Sequence, residues 1–371
     1  MLPESTTHPP IVKNPRPLSS PPLRNPHTPP DDVLTAASSL PPAADRDPLL
    51  CRDPLSPTTV FLAPRRNERP IELADPRDAA TAHEPDRACP FCRGNEQLAP
   101  PDVLRLPAGD SWHARVVPNR YPIVSEPDGA ALGTLGKGAA LPTRPARGIH
   151  EVLIESPQHD TRVEQIAPQT WGTAWQAAWQ RLATLARIPQ LRWAMLFKNA
   201  GPQAGASLAH VHSQLVGLEF LPQVIEEKTA RLHDEPPLHS RVIADAEDDG
   251  RLWAEEGGLV AFVPVAARQP FETCIMPRAA EPHFHSTPLE SVAAIASLTH
   301  RYAQRLSELT DGADYNWWLH QAGFHEGRLA AGWHWHLEIM PRLTQLAGFE
   351  LGSGCHICTM PPPHAATLLA G

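Results

Sequence analysis

Two short stretches with the same alternation frame this chain: H-V-H-S-Q at 210–214 and H-W-H-L-E at 334–338. In extended backbone, residues two apart share a face, so His210, His212 and Gln214 project one way. His334, His336 and Glu338 do the same. What precedes each stretch is also alike. In the first, strand-like runs at 114–117 and 150–155 lead to Trp171, Trp175, Trp179, Leu182 and Leu185 at helical spacing, then to a run at 191–198. In the second, runs at 259–265 and 271–276 lead to Leu289, Val292, Ile295, Leu298, Tyr302, Leu306 and Leu309 on one helix face, then to 315–320. This repetition predicts an α+β fold of two alike halves duplicated within one chain. Each half has an antiparallel sheet and one long helix, and the two sheets are expected to form one extended platform.

The chemistry concentrates in residues 198–214, K-N-A-G-P-Q-A-G-A-S-L-A-H-V-H-S-Q. A neutral imidazole attacks phosphorus without help from a base, and a phosphoryl group on histidine stays reactive enough to be passed on. The amide of Gln214 and the backbone N–H groups of a loop containing Gly201, Gly205 and Ser207 can donate hydrogen bonds to phosphoryl oxygens without adding negative charge. Such donors stabilise the charge that builds in the transition state. Comparing the halves chooses between them. Glu338 stands where the first half has Gln214, and the second half lacks the Gly-x-x-x-Gly-x-Ser approach. A carboxylate there would repel a phosphate, which places the nucleophile in the first half.

Residues 198–214 resemble the histidine-triad superfamily and, within it, the galactose-1-phosphate uridylyltransferase family. The family motif is a Gly/Ser loop followed by His-Pro-His-x-Gln, and here Val211 stands in the proline position. The resemblance implies that His212 is the nucleophile, Gln214 and Ser207 act with it, and His210 is a zinc ligand. Cys89-Pro-Phe-Cys92 has the spacing by which two thiolates hold one metal ion from a tight turn. With His159, after the run at 152–154, the resemblance completes a closed zinc site of Cys89, Cys92, His159 and His210, structural rather than catalytic. It also implies substrate contacts from Arg66 and Arg69 in R-R-N-E-R-P, from Asn119 and Asn199, from Gly201 and Gly205, and from Phe349 and Glu350 in A-G-F-E-L-G-S-G, the last two reaching the hexose from the same chain or from the partner subunit. Some members carry a second metal; His320, His336 and Glu338 are the counterparts here, with Glu226 or Glu227 as acidic partners and a direct offset that lands on Lys228. Cys355 and Cys358 form a second C-x-x-C, either joining Cys89 and Cys92 in a four-cysteine site or remaining surface or packed thiols.

The activity so implied is exchange of UMP between UDP-glucose and a hexose 1-phosphate such as galactose 1-phosphate, by a ping-pong route through a uridylyl-histidine. A close variant is a relative that moves an adenylyl group from ADP-glucose to phosphate, and the sequence leaves the base open. Two readings from other classes are a histidine-triad hydrolase, whose motif ends in a third histidine rather than Gln214, and a silent zinc-stabilised nucleotide-binding protein. The partners implied are a nucleotide-sugar, a sugar 1-phosphate and a second copy in a homodimer.

Thirteen of the 44 prolines fall in the first 50 residues, where neither helix nor sheet can propagate. The expected organisation is a disordered tail over 1–52, a first half over 53–222 and a second over 223–371. A net charge of −9 argues against a nucleic-acid surface. No apolar run is long enough to span a membrane and no secretory signal opens the chain, so a cytoplasmic enzyme is expected.

Overall fold

The computed structural model describes residues 48–52, 59–62, 89–126 and 143–371. In the first half the strands are β1 (Leu49–Arg52), β2 (Thr59–Leu62), β3 (Leu104–Leu106), β4 (Ala114–Pro118), β5 (Thr143–Pro145), β6 (Gly148–Ile154), β7 (Trp193–Ala200) and β8 (His212–Leu218), with helix α1 (Pro168–Leu185) between β6 and β7. Helices α2 (Gln223–Asp234) and α3 (Leu238–Asp248) lead into the second half. There β9 (Leu252–Glu256), β10 (Leu259–Phe262), β11 (Thr273–Pro277), β12 (Tyr315–His320) and β13 (His336–Pro341) surround helix α4 (Leu289–Thr310), and α5 (Gly348–Ser353) and α6 (Pro362–Ala370) follow.

Ten strands form one antiparallel sheet in the order β3-β4-β6-β8-β7-β12-β13-β11-β10-β9. Read outward from the β7–β12 pair the order is palindromic: β8 answers β13, β6 answers β11, β4 answers β10 and β3 answers β9. The expected duplication is therefore built as a pseudo-two-fold, and the join is a ladder in which Asn199 faces Asn316 and Phe197 faces Trp318.

Both long helices lie on one face of this sheet. Helix α1 opens with Pro168 at its first turn, where a missing N–H costs nothing, and α4 stops at Asp311, whose φ of 56° breaks the helical repeat ahead of Gly312. The helices meet through tryptophans: the Trp171 indole donates to the Ala296 carbonyl (3.0 Å) and Trp175 to Thr299 Oγ1 (3.2 Å). Beneath them the core takes alternate strand residues, Leu153, Leu196 and Leu215 from one half and Ile275, Leu319 and Leu337 from the other. Strand alternation then sends Val152, Ile154, His212 and Gln214 to the opposite face. That face carries the site.

One sequence expectation changes. Strand β1, assigned to the tail, pairs with both β2 and β5, so ordered structure begins ahead of Asp53; the tail before residue 48 lies outside the described residues. After β4 the chain turns at residues 119–122, where Asn119 Oδ1 accepts the Tyr121 N–H (2.8 Å) and Pro122 has no N–H to give a ladder. Among the described residues no helix is long and apolar enough to cross a membrane.

Candidate active site

His212 is the first residue of β8 and is buried. Its Nδ1 lies 2.8 Å from the carbonyl oxygen of His210. A carbonyl only accepts, so Nδ1 carries the ring proton and Nε2 carries the lone pair. His212 lines a cavity of about 460 Å³ with Ser207 and Gln214, whose walls include Phe91, Leu98, Val117, Tyr121 and Val152. The apolar walls suit a flat base, and the polar end suits phosphate.

Gln214 is held by a residue that sequence reasoning missed. His150 on β6 sits diagonally across the β6–β8 ladder, where Val152 faces Gln214. The Ile123 N–H donates to His150 Nδ1 (3.1 Å), so the ring proton is on Nε2, and Nε2 donates to Gln214 Oε1 (3.0 Å). Asn119 Nδ2 reaches the same oxygen at 3.4 Å. With its oxygen engaged on both sides, the glutamine amide has its NH₂ as the group to offer an incoming oxygen. The only sequence signal was period-two alternation from Ile154 back to His150, which says nothing about which strand lies alongside.

Behind β8, on the helix face, Lys198 and Glu155 form an ion pair in which each side chain is only 2 % exposed. Lys198 Nζ also donates to the His212 carbonyl (3.1 Å), Ser213 Oγ donates to Glu155, and the ammonium lies over the Trp317 ring at 5.6 Å. Burial lowers the Lys198 pKa, and Glu155 opposes that shift. Removing one member of such a pair typically costs about 3–5 kcal/mol, because the other charge is stranded away from water. The pair thus pins the backbone of His212.

The loop before β8 is shaped by contact as well as by flexibility. Gly201 has φ 87°, and a Cβ there would come within 1.9 Å of the Asp314 carboxylate, which accepts the Gln203 N–H at 2.7 Å. Gly205 is left-handed at φ 85° and faces open space. Asn199 Oδ1 accepts from Asn316 Nδ2 (2.8 Å), which ties it to β12.

Cys89, Cys92, His159 and His210 converge, all buried, with their ligand atoms within 4.8 Å of one another. Cys92 Sγ is 3.2 Å from His159 Nδ1, and His210 Nδ1 is 3.6 Å from both Cys89 Sγ and Cys92 Sγ. Ligands at 2.0–2.3 Å from a tetrahedral ion stand about 3.3–3.8 Å apart, so the cluster fits one metal ion. His210 Nε2 donates to the Ser156 carbonyl (2.9 Å), which leaves Nδ1 unprotonated toward the thiolates. The Cys89 thiol is lowered by its bond to Cys92, against burial, and further by His159 and His210, as ligation requires.

Comparison with known proteins gives the site its lineage. Residues 47–222 match the family described as galactose-1-phosphate uridyl transferase, N-terminal domain, and residues 178–369 match a domain of unknown function, DUF4921. The galactose-1-phosphate uridylyltransferase of Thermotoga maritima is 24 % identical over 85 % of this chain and 96 % of its own. Over residues 47–222 this chain belongs to the galactose-1-phosphate uridylyltransferase family. Within that nucleotidyltransferase family it is also similar to the ADP-glucose phosphorylase of Arabidopsis thaliana, 29 % identical over 88 % of this chain and 93 % of the relative. A solved structure of an Arabidopsis thaliana ADP-glucose phosphorylase with bound ADP-glucose superposes with TM-score 0.66 at 28 % identity, covering 87 % of this chain and 99 % of that one.

Against the expectations set by the uridylyltransferase motif, other residues fall differently. His320, His336 and Glu338 come together, but Lys228 of α2 enters the cluster: its Nζ is 2.9 Å from His320 Nδ1, from His336 Nε2 and from Glu338 Oε1. Glu226 and Glu227 stay outside, and Glu227 accepts from Gln223 on its own helix. Burial lowers both imidazoles, His320 to about 4, so both rings are neutral acceptors. Phe349 is 59 % exposed on the short α5, Glu350 caps that helix by accepting the Ala347 N–H (3.0 Å), and neither lines a cavity that His212 lines. Cys355 is exposed and Cys358 donates to the Met360 carbonyl, so neither joins Cys89 and Cys92. Arg66 and Arg69 lie outside the described residues.

Proposed function

We propose that the protein transfers a nucleoside monophosphate from a nucleotide-sugar to a phosphate-bearing acceptor through a nucleotidyl-histidine on His212. The observation that carries this reading is the pairing of an unprotonated His212 Nε2 with a Gln214 amide whose oxygen is already held by His150. In the first step Nε2 attacks the α-phosphorus, the P–N bond forms as the bond to the bridging oxygen breaks, and sugar 1-phosphate leaves. In the second, an acceptor oxygen attacks the same phosphorus, the P–N bond breaks, and His212 is restored. The Gln214 NH₂ donates to a nonbridging oxygen in both steps, where charge builds.

Two thiolates and two imidazoles in a closed tetrahedron suit zinc, which in this reading holds the loop around Cys89 against the start of β8 and takes no part in the chemistry. The donor is read as ADP-glucose with phosphate as acceptor. The support is the higher identity to an ADP-glucose phosphorylase, 29 % against 24 % for the Thermotoga maritima uridylyltransferase. UDP-glucose with a hexose 1-phosphate is the second reading, supported by the match over 47–222.

Incubation with ADP-glucose or UDP-glucose labelled at the α-phosphate, followed by isolation in alkali, is expected to leave an acid-labile label that phosphate or a sugar 1-phosphate discharges. Label from UDP-glucose alone would exchange the two readings, and none from any nucleotide-sugar would remove both. Gln214→Ala should keep the melting temperature and slow turnover by on the order of 10²-fold, the scale of one lost transition-state donor. Unchanged turnover would take Gln214 out of the mechanism.

A further inference from the structure

The pseudo-two-fold sets His336 where the first half has His212, and the two rings are prepared alike. His336 Nδ1 lies 3.0 Å from the His334 carbonyl, so its lone pair too is on Nε2. What differs is the partner of that lone pair. In the second half it accepts from Lys228 Nζ, whose other two protons go to His320 Nδ1 and Glu338 Oε1, each contact at 2.9 Å. An ammonium has three donors and no acceptor, so this cage satisfies it in full.

The cage itself has the dimensions of a metal site. His320 Nδ1 and His336 Nε2 stand 3.3 and 3.5 Å from Glu338 Oε1, the separation of about 3.4 Å expected between nitrogen and oxygen ligands of one tetrahedral ion. An ion at bonding distance from these three atoms would lie against Lys228 Nζ, cation on cation. Lys228 and the ion therefore exclude each other. Charge is already balanced: Glu338 Oε2 takes a second cation, Arg268 (2.8 Å), which also pairs with Glu272.

We infer that the Lys228 ammonium is the resident cation of the second-half cluster, doing without metal what a divalent ion would do there, and that it closes His336 to nucleophilic use. The protein then takes up a single metal ion, at Cys89, Cys92, His159 and His210, while its second cluster needs none. The residue type at 228 selects between the two states. This goes beyond the transfer reaction and does not depend on it.

The test is metal content after saturation with zinc and desalting, measured on the full chain with a melting curve for every variant. Lys228→Ala is expected to hold one equivalent more than the wild type, and Lys228→Ala with His336→Ala is expected to lose that gain. Lys228→Met keeps the stem and removes only the charge, so it carries the same comparison if the alanine variant does not fold. Because the readout is a difference, it survives a wild type that holds no metal at all. A count unchanged in both Lys228 variants would overturn the inference. So would a wild-type count that falls by one equivalent in His336→Ala, since the ion would then already be present.

Discussion

His212→Asn is expected to reduce nucleotidyl exchange by roughly 10⁶-fold, the scale on which a covalent enzyme loses its nucleophile. Asparagine can still donate from its amide to the His210 carbonyl, as His212 Nδ1 does at 2.8 Å. It has no lone pair able to form a P–N bond. The loss should therefore appear in turnover and not in the fold: β8 keeps its ladders to β6 and β7, and the Lys198–Glu155 pair behind it is untouched. Gln214, Ser207 and the cavity walls remain, so nucleotide-sugar should bind with an affinity near that of the wild type. The measurements are exchange of label between nucleotide-sugar and sugar 1-phosphate, label retained on the protein in alkali, and ligand affinity by calorimetry. Exchange within about tenfold of the wild type would show that another group attacks the phosphorus.

Cys89→Ser should remove one metal equivalent and lower the melting temperature by on the order of 10 °C. Structural zinc sites contribute about 10–16 kcal/mol in small domains that have little else. Here a ten-stranded sheet and two long helices supply most of the stability, so only part of that is at risk. The part at risk is local. The cluster joins the turn at 89–92, the end of the β6 segment at His159 and the residue two before His212. Phe91, between the two cysteines, packs edge-on against His210 with ring centres 5.8 Å apart and against His212 at 5.5 Å. Loss of the ion should thus also disturb the cavity wall, and turnover should fall with metal content. Equal metal content and equal melting temperature in Cys89→Ser would dissolve the site as a structural clamp.

The half proposed to carry the transfer was chosen from residue types alone. Glutamine against glutamate after H-x-H points to the first half, and the structure adds a second reason, Lys228 seated on His336 Nε2. The offset counted from β8 lands on Lys228, but nothing in a sequence says that a lysine, rather than Glu226 or Glu227, turns into a cluster. That choice is made by the face of α2 that packs toward β12 and β13. His150 was invisible for a related reason. Its bond to Gln214 spans 64 residues and depends on β6 lying beside β8 in one register; a slip of one residue would send it to the helix face.

By itself the sequence determined what local periodicity and residue chemistry control. These are the duplicated strand and helix pattern, the face shared by His210, His212 and Gln214, and the metal-ligand spacing of Cys89 and Cys92. Such features depend on backbone geometry over a few residues, which the chain carries wherever it goes. The tertiary structure decided which strands are neighbours: the palindromic order that joins the halves at β7 and β12, the bond from His150 to Gln214, the buried Lys198–Glu155 pair and the ammonium of Lys228 in the second cluster. Those depend on strand order and register, which are set by how the whole apolar face is buried at once and leave no mark at any single position.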